Sequence, residues 1–247
     1  MCPLPSGLPG FWQGLKDLCF PPACLVCGAR LPTGEPLLFC GRCGRDLVPI
    51  REPFCRCCGK PFLQGTGPSH FCGRCLTHAW HFTRARAVLL YQGAMAQAIQ
   101  SFKYAGRTAG LPTFTELRKQ SAALDDLAEP ELILPVPLHV GRLRERGFNQ
   151  ALLLARRFFP EQRQKIQPAI LVRAHHTAPQ TGLSGPARRQ NIKGAFQVRY
   201  PARVKNRRVL LVDDVFTTGA TVDECAKVLQ RAGAYEVQVI TLARVKE

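Results

Sequence analysis

The chain has 247 residues, 46% of them hydrophobic, and a formal net charge of +17. That length and composition can bury a sizeable core in one or two domains. No run of roughly 18 apolar residues occurs, which excludes a membrane-spanning helix. The first 23 residues are apolar but broken by prolines and lack the pattern of a signal peptide, so a cytoplasmic chain without membrane insertion is expected.

The N-terminal part is dominated by cysteine. Eight of the 12 cysteines form four C-x-x-C pairs between Cys24 and Cys75. In a reducing compartment such pairs hold metal rather than disulfides. "CLVCG" is followed by "FCGRC" (39–43), and "CRCCGK" by "FCGRC" (71–75), so the segment reads as two similar halves. Two C-x-x-C pairs complete the closed tetrahedral shell of a structural zinc site. The simplest pairing is within each half, Cys24, Cys27, Cys40 and Cys43, then Cys55, Cys58, Cys72 and Cys75; a cross-braced pairing is the alternative. Four thiolates per ion leave no open position for water, so both Zn²⁺ sites should be structural. Cys57 reads as a spectator thiol, and His70 and His78 as surface residues. Cys2 and Cys19 have no evident partners. A zinc-ribbon domain over 20–80 and a second domain over 81–247 are expected.

From about Ala85 strands and helices alternate. A strand is predicted at 87–91, a helix over 93–104 and a buried strand at 131–138. A helix over 148–159 would carry Phe148, Leu152, Ala155 and Phe159 on one face. Short strands follow at 169–173 and 195–199, then a strand at 208–214, a helix over 219–232 and a last strand at 236–245. This order argues for an α/β fold with a parallel sheet flanked by helices. Cys225 falls on the apolar side of the 219–232 helix, as a small buried side chain. The charge has one address: residues 140–210 hold 16 basic and 2 acidic side chains. A field of that kind attracts phosphates, on a small metabolite or on nucleic acid.

The stretch "RVLLVDDVFTTGAT" (208–221) carries the chemistry. A strand running into Asp213 and Asp214 places carboxylates at its C-terminal end, where ligands bind in open parallel sheets. Thr217, Thr218, Gly219 and Thr221 then form a turn opening a helix, whose unpaired N–H groups suit a phosphate. The carboxylates call for hydroxyls, a divalent cation or developing positive charge, and a ribose 5-phosphate offers all three. Helix capping explains an isolated pair of aspartates; it does not explain the whole string.

"VLLVDDVFTTGAT" resembles the phosphoribosyl-pyrophosphate (PRPP) motif of type I phosphoribosyltransferases. "LPVPLH", "RLRERGFNQA" and "RAHHTAPQTGLSGPARRQNIKGAF" are similar to signatures of the ComF family, associated with natural competence and DNA uptake. With the double zinc ribbon, the resemblance spans nearly the whole chain. It implies a type I phosphoribosyltransferase-like domain behind a small zinc-ribbon domain. It implies that Asp213 and Asp214, the catalytic pair, contact the ribose hydroxyls. Val215, Thr217, Thr218, Gly219, Ala220 and Thr221 would wrap the 5-phosphate, with Mg²⁺ accompanying PRPP. The pyrophosphate would lie over the loop after "LPVPLH", against Arg142 and Arg146; a solvated basic face is the other reading of these arginines. Arg144 and Arg146 point in different directions if this segment is helical. Residues 173–193, with Gln180, Arg188 and Arg189, resemble the mobile loop that closes over PRPP. His175 and His176 fit a surface role as well as a catalytic one.

No acceptor-recognising hood is evident after the last strand, so an acceptor site would come from the zinc region, from 173–193 or from a partner. Three functions stay open. One is Mg²⁺-dependent phosphoribosyl transfer from PRPP to an unidentified acceptor. The second is a competence factor holding single-stranded DNA, although few aromatics accompany the basic side chains as stacking platforms. The third is an adaptor whose ribbons dock a partner such as a DNA-translocating ATPase.

Overall fold

A computed structural model describes residues 21–62, 65, 67–104, 108–174, 190 and 192–246. In chain order its elements begin with two one-turn helices, α1 (Gly41–Arg45) and α2 (Gly73–Thr77). Then come β1 (Arg84–Leu90), α3 (Gly93–Tyr104) and α4 (Leu111–Lys119). Next are β2 (Leu132–Pro135), α5 (Val140–Arg146) and α6 (Gln150–Phe158). β3 (Leu171–Arg173), β4 (Phe196–Val198) and α7 (Pro201–Val204) precede β5 (Arg208–Phe216), α8 (Ala220–Arg231) and β6 (Glu236–Arg244).

Four strands form a parallel sheet in the order β1–β6–β5–β2. The central strand β5 is apolar without interruption from Val209 to Val212 because both its faces are covered. Strand geometry sends alternate side chains to opposite faces. Leu210 and Val212 join a core with α3, α4 and α6, whereas Val209 and Leu211 join a core with α8, Ile170 and Phe196.

Each ribbon takes one of these cores. Cys24, Phe39 and Cys43 pack into the α3–α4–α6 layer, and Cys55, Cys57, Cys58 and Cys72 into the α8 layer. Between the ribbons the chain runs along β1. The Ile50 N–H donates to Val88 O at 3.1 Å and the Leu90 N–H to Val48 O at 2.9 Å, which covers the open edge of the sheet. Asp46, just after α1, accepts the Ala94 N–H at 2.7 Å and so caps the start of α3.

Three expectations shift. The buried face of α6 is wider than expected: Ala151, Leu154 and Phe158 join Ala155 and Phe159 in the core, while Phe148 and Leu152 are only partly buried against it. The reason is the cap: the Asn149 side chain accepts the Leu152 N–H at 3.3 Å, so Phe148 precedes the helix and Phe159 follows it. The strand expected at 131–138 ends at Pro135, although the Val136 N–H still reaches Val212 O at 2.9 Å. β3 and β4 stay out of the main sheet and pair with each other, antiparallel, on the α8 side.

Candidate functional site

Pairing between β2 and β5 stops at Pro135 and Val212. Asp213 and Asp214 follow at once, beyond the reach of β2, while β5 continues beside β6 to Phe216. Continued alternation sends the two carboxylates to opposite faces. Asp214 meets α3, where Lys103 Nζ lies 3.0 Å from its Oδ1. Asp213 belongs to the side of Cys225 and Arg173, both of which feel its charge. Its own Oδ1 accepts the Asp214 N–H at 2.9 Å.

Burial and the neighbouring Asp214 charge push the Asp213 carboxyl up to about 7; that N–H bond, Lys103 and Arg173 offset only part of this. Burial also weighs most heavily on Arg173, followed by the charge of Arg142, with Asp213 acting in the opposite sense. Arg142, Arg173 and Asp213 therefore form one electrostatic cluster. Arg146 points elsewhere, its Nη1 3.4 Å from Gln150 Oε1. The segment holding them is helical, and Arg144 is exposed while Arg142 and Arg146 are half-buried.

The loop after β5 turns on Gly219, whose φ of +77° lies in the left-handed region. A Cβ there would sit 2.7 Å from Phe216 Cζ and 2.9 Å from Trp80 Cζ3. Only glycine fits both the backbone and the space. α8 starts at Ala220, and its first N–H groups have no partner within the helix. Val215, Thr217, Thr218 and Thr221 are half-buried around it, so the residues expected to wrap a phosphate lie together on one turn beside the carboxylates. A cavity of about 310 Å³ opens against the same helix start, lined by Trp80, Ile192, Lys193, Asp223, Glu224 and Lys227. A cavity of about 730 Å³ between Ile50, Leu89 and Ala123 lies away from these carboxylates.

The cysteines gather as two tetrads within the halves, Cys24–Cys27–Cys40–Cys43 and Cys55–Cys58–Cys72–Cys75, the sulfurs of each within 4.8 Å of one another. A zinc–sulfur bond of about 2.3 Å in a tetrahedron requires sulfurs about 3.8 Å apart. Cys27 and Cys40 Sγ lie 3.6 Å apart and Cys58 and Cys72 Sγ 3.8 Å, so the donors fit the ion and the cross-braced alternative falls away. Cys57 stays outside both sets; burial pushes its thiol well up, as suits a neutral spectator, and its carbonyl accepts the Ala85 N–H at 2.7 Å. His70 stacks on Phe62 at 4.1 Å and His78 packs its edge on Trp80, so neither serves a tetrad. Cys225 is fully buried in α8, as expected.

Known proteins resemble this chain in sequence over most of its length. Residues 15–76 match the double zinc ribbon domain and residues 146–247 the phosphoribosyl transferase domain. Competence protein F of Haemophilus influenzae is 34% identical over 230 residues, covering 90% of this chain and 96% of that protein. The chain belongs to the ComF/YhgH family. The DNA utilization protein YhgH of Escherichia coli K12 is 32% identical over 92% of this chain and 99% of its own length. Competence protein ComFC of Streptococcus pneumoniae is 25% identical over 90% of this chain and 99% of its own length. The ComF/YhgH architecture thus joins a double zinc ribbon to a phosphoribosyltransferase domain.

Lys103 and Trp80 escape a reading of the motifs, whereas Arg173 opens the 173–193 signature. Lys103 could have been suspected as a lone cation ending an apolar helix. Trp80 carries no local signal. Cys2, Cys19, His175, His176, Gln180, Arg188 and Arg189 lie outside the described residues. No helix among the described residues is long and apolar enough to cross a membrane.

Proposed function

We propose that this chain binds the ribose 5-phosphate part of PRPP over residues 213–221 and acts in natural competence or DNA utilization, as its relatives' names say of them. The observation that carries this reading is the junction at Val212. Two carboxylates follow where β5 loses its β2 neighbour while still paired with β6, shortly before a glycine-led helix start. Thr217, Thr218, Gly219, Ala220 and Thr221 would offer backbone N–H groups and hydroxyls to the 5-phosphate. Asp213 and Asp214 would accept from the ribose hydroxyls. Arg142 and Arg173, clustered beside Asp213, would draw in the pyrophosphate end, with Arg146 further along the same helix. Mg²⁺ arriving with PRPP would neutralise part of the pyrophosphate charge.

If transfer occurs, the carboxylates face the anomeric carbon as it becomes cationic, which stabilises an oxocarbenium-like transition state. Calorimetry of PRPP with Mg²⁺ on the zinc-loaded chain tests the reading. Binding that disappears in Asp213→Asn/Asp214→Asn supports it, and no binding by folded wild type removes it. A second reading rests on the basic stretch 140–210. On α5, Arg144 is exposed beside Val140 and Leu143, and Tyr200 is exposed after β4. That surface suits single-stranded DNA without turnover, or docking of a DNA-translocating ATPase. Salt-sensitive DNA binding that survives the double asparagine variant would favour it.

A further inference from the structure

The two ribbons repeat one motif, "FCGRC", at residues 39–43 and 71–75. In both, the first cysteine caps a one-turn helix and the arginine follows two residues later. The two arginines nonetheless end in different places. Arg42 is exposed. The Arg74 guanidinium crosses to the phosphate loop, where Nη2 donates to Thr218 O at 2.8 Å.

That carbonyl is the one whose orientation matters. In a planar trans peptide the C=O and the following N–H point in opposite directions. Holding Thr218 O on the ribbon side aims the Gly219 N–H the other way, into the turn at the helix start. Trp80 fixes the same peptide from behind. Its ring meets the Arg74 guanidinium, 4.8 Å from the ring centroid, and stacks on Phe82 at 5.0 Å. It occupies the space a Cβ on Gly219 would need. Its Nε1–H donates to Cys75 Sγ, a member of the second tetrad, at 3.2 Å.

One turn further along α8, Asp223 Oδ1 accepts the His81 N–H at 2.8 Å, with His81 Nδ1 at 3.2 Å and His78 Nε2 4.0 Å from Oδ2. The segment leaving the tetrad thereby grips both the loop and the helix that carries it.

We propose that Arg74 and Trp80 are positioning residues of the phosphate site, and that metal occupancy of the second tetrad and affinity for a phosphorylated sugar are linked through them. The proposal rests on the reading of residues 213–221 as a PRPP site. The tetrad orients α2, and α2 carries Arg74. Linkage is reciprocal: whatever zinc adds to ligand affinity, bound ligand adds to zinc affinity at the second tetrad. The first ribbon meets the site differently, through Asp46 and α3, and among the described residues Arg42 makes no contact of this kind with the phosphate loop.

The test uses the full zinc-loaded chain in four forms: wild type, Arg74→Ala, Arg42→Ala and Trp80→Phe. PRPP with Mg²⁺ and inorganic phosphate are titrated by calorimetry, and zinc loss to a chromogenic chelator is followed with and without PRPP. Arg42→Ala should bind as wild type does. Arg74→Ala should keep two zinc ions yet bind PRPP about tenfold more weakly, the scale of one lost charge-assisted hydrogen bond. Trp80→Phe, which loses the N–H to Cys75 but keeps a ring, should fall between. Saturating PRPP should slow release of the zinc held by the second tetrad in wild type and not in Arg74→Ala. Equal binding by Arg74→Ala and Arg42→Ala, with no protection of zinc, overturns the role of Arg74 alone. Wild type that binds neither probe overturns the PRPP reading beneath it. Should Arg74→Ala fail to fold, zinc release from wild type decides: no slowing by bound PRPP overturns the linkage.

Discussion

Lys103 Nζ stands 3.0 Å from Asp214 Oδ1, with only 19% and 13% of the two side chains exposed. Burial opposes the lysine's charge, but the Asp214 carboxylate, helped by Asp213, outweighs it and raises Lys103 above its ordinary value. A half-broken buried pair is worse than none, because the remaining charge is desolvated and unmatched. Lys103→Met should therefore destabilise the chain by about 3 kcal/mol, and adding Asp214→Asn should recover most of that loss. Chemical unfolding of the two single variants and the double variant measures the coupling. Additive losses would show that the two groups do not depend on each other.

Asp213 carries the pH dependence. Its carboxyl is pushed up from 3.8 to about 7, by burial first and the Asp214 charge second. Between those values the folded chain holds a proton that the unfolded chain has released, so this group's contribution to stability falls as pH rises. Above about pH 7 the lowered contribution is constant. Asp213→Asn should remove that slope and melt about 2–4 °C higher than wild type at pH 8, for roughly 1 kcal/mol of relieved desolvation. Melting curves from pH 5 to pH 8 test this, and parallel slopes in both proteins would contradict it.

The same titration shapes ligand affinity. A carboxylate accepts from ribose hydroxyls, whereas a protonated carboxyl competes with them as a donor. PRPP affinity should rise about tenfold from pH 6 to pH 8 in wild type, as expected for one acceptor titrating at about 7. Calorimetry at both pH values checks it, with Asp213→Asn showing a flat response.

The two metal centres should differ in lability. Cys27 is exposed and Cys40 half-buried in the first tetrad, whereas Cys55, Cys58 and Cys72 of the second are all buried. Two zinc ions per chain should leave to a chelator in two phases, the first tetrad emptying faster. Cys27→Ser should abolish the fast phase and spare the slow one.

Gly219→Ala tests the loop itself. The new methyl would meet Phe216 and Trp80 at under 3 Å with φ held at +77°. A loss of about 1–3 kcal/mol in stability is expected, together with loss of PRPP binding. Thr221→Ala, which leaves the backbone alone, should keep the stability of wild type.

The local parts of this site were legible in the sequence. The apolar run into two aspartates, the threonine–glycine turn and the C-x-x-C spacing each encode their geometry within a few residues. The alternation of a strand even places Asp213 and Asp214 on opposite faces. What the sequence hides is what meets them. Arg74 and Thr218 are 144 positions apart, and nothing in "FCGRC" separates Arg74 from its twin Arg42. Lys103 finds Asp214 only because α3 packs over β5. The face of α6 was read only in part because the cap at Asn149 sets where the helix begins, and a hydrophobic period alone does not supply that starting point. β3 and β4 carry strand patterns, but pattern does not say with which strand each pairs.

α3 has a consequence for anyone wishing to shorten this chain. It is a rod of 12 residues, about 18 Å long, pinned near one end by Asp46 and near the other by Lys103. Cutting away everything before the sheet would free the first end, bare the two apolar layers that the ribbons cover, and leave Asp214 with a wandering counter-ion. The N-terminal segment is therefore not a cassette that can be exchanged between relatives by itself. A working chimaera would have to carry residue 46, the rod and residue 103 across together.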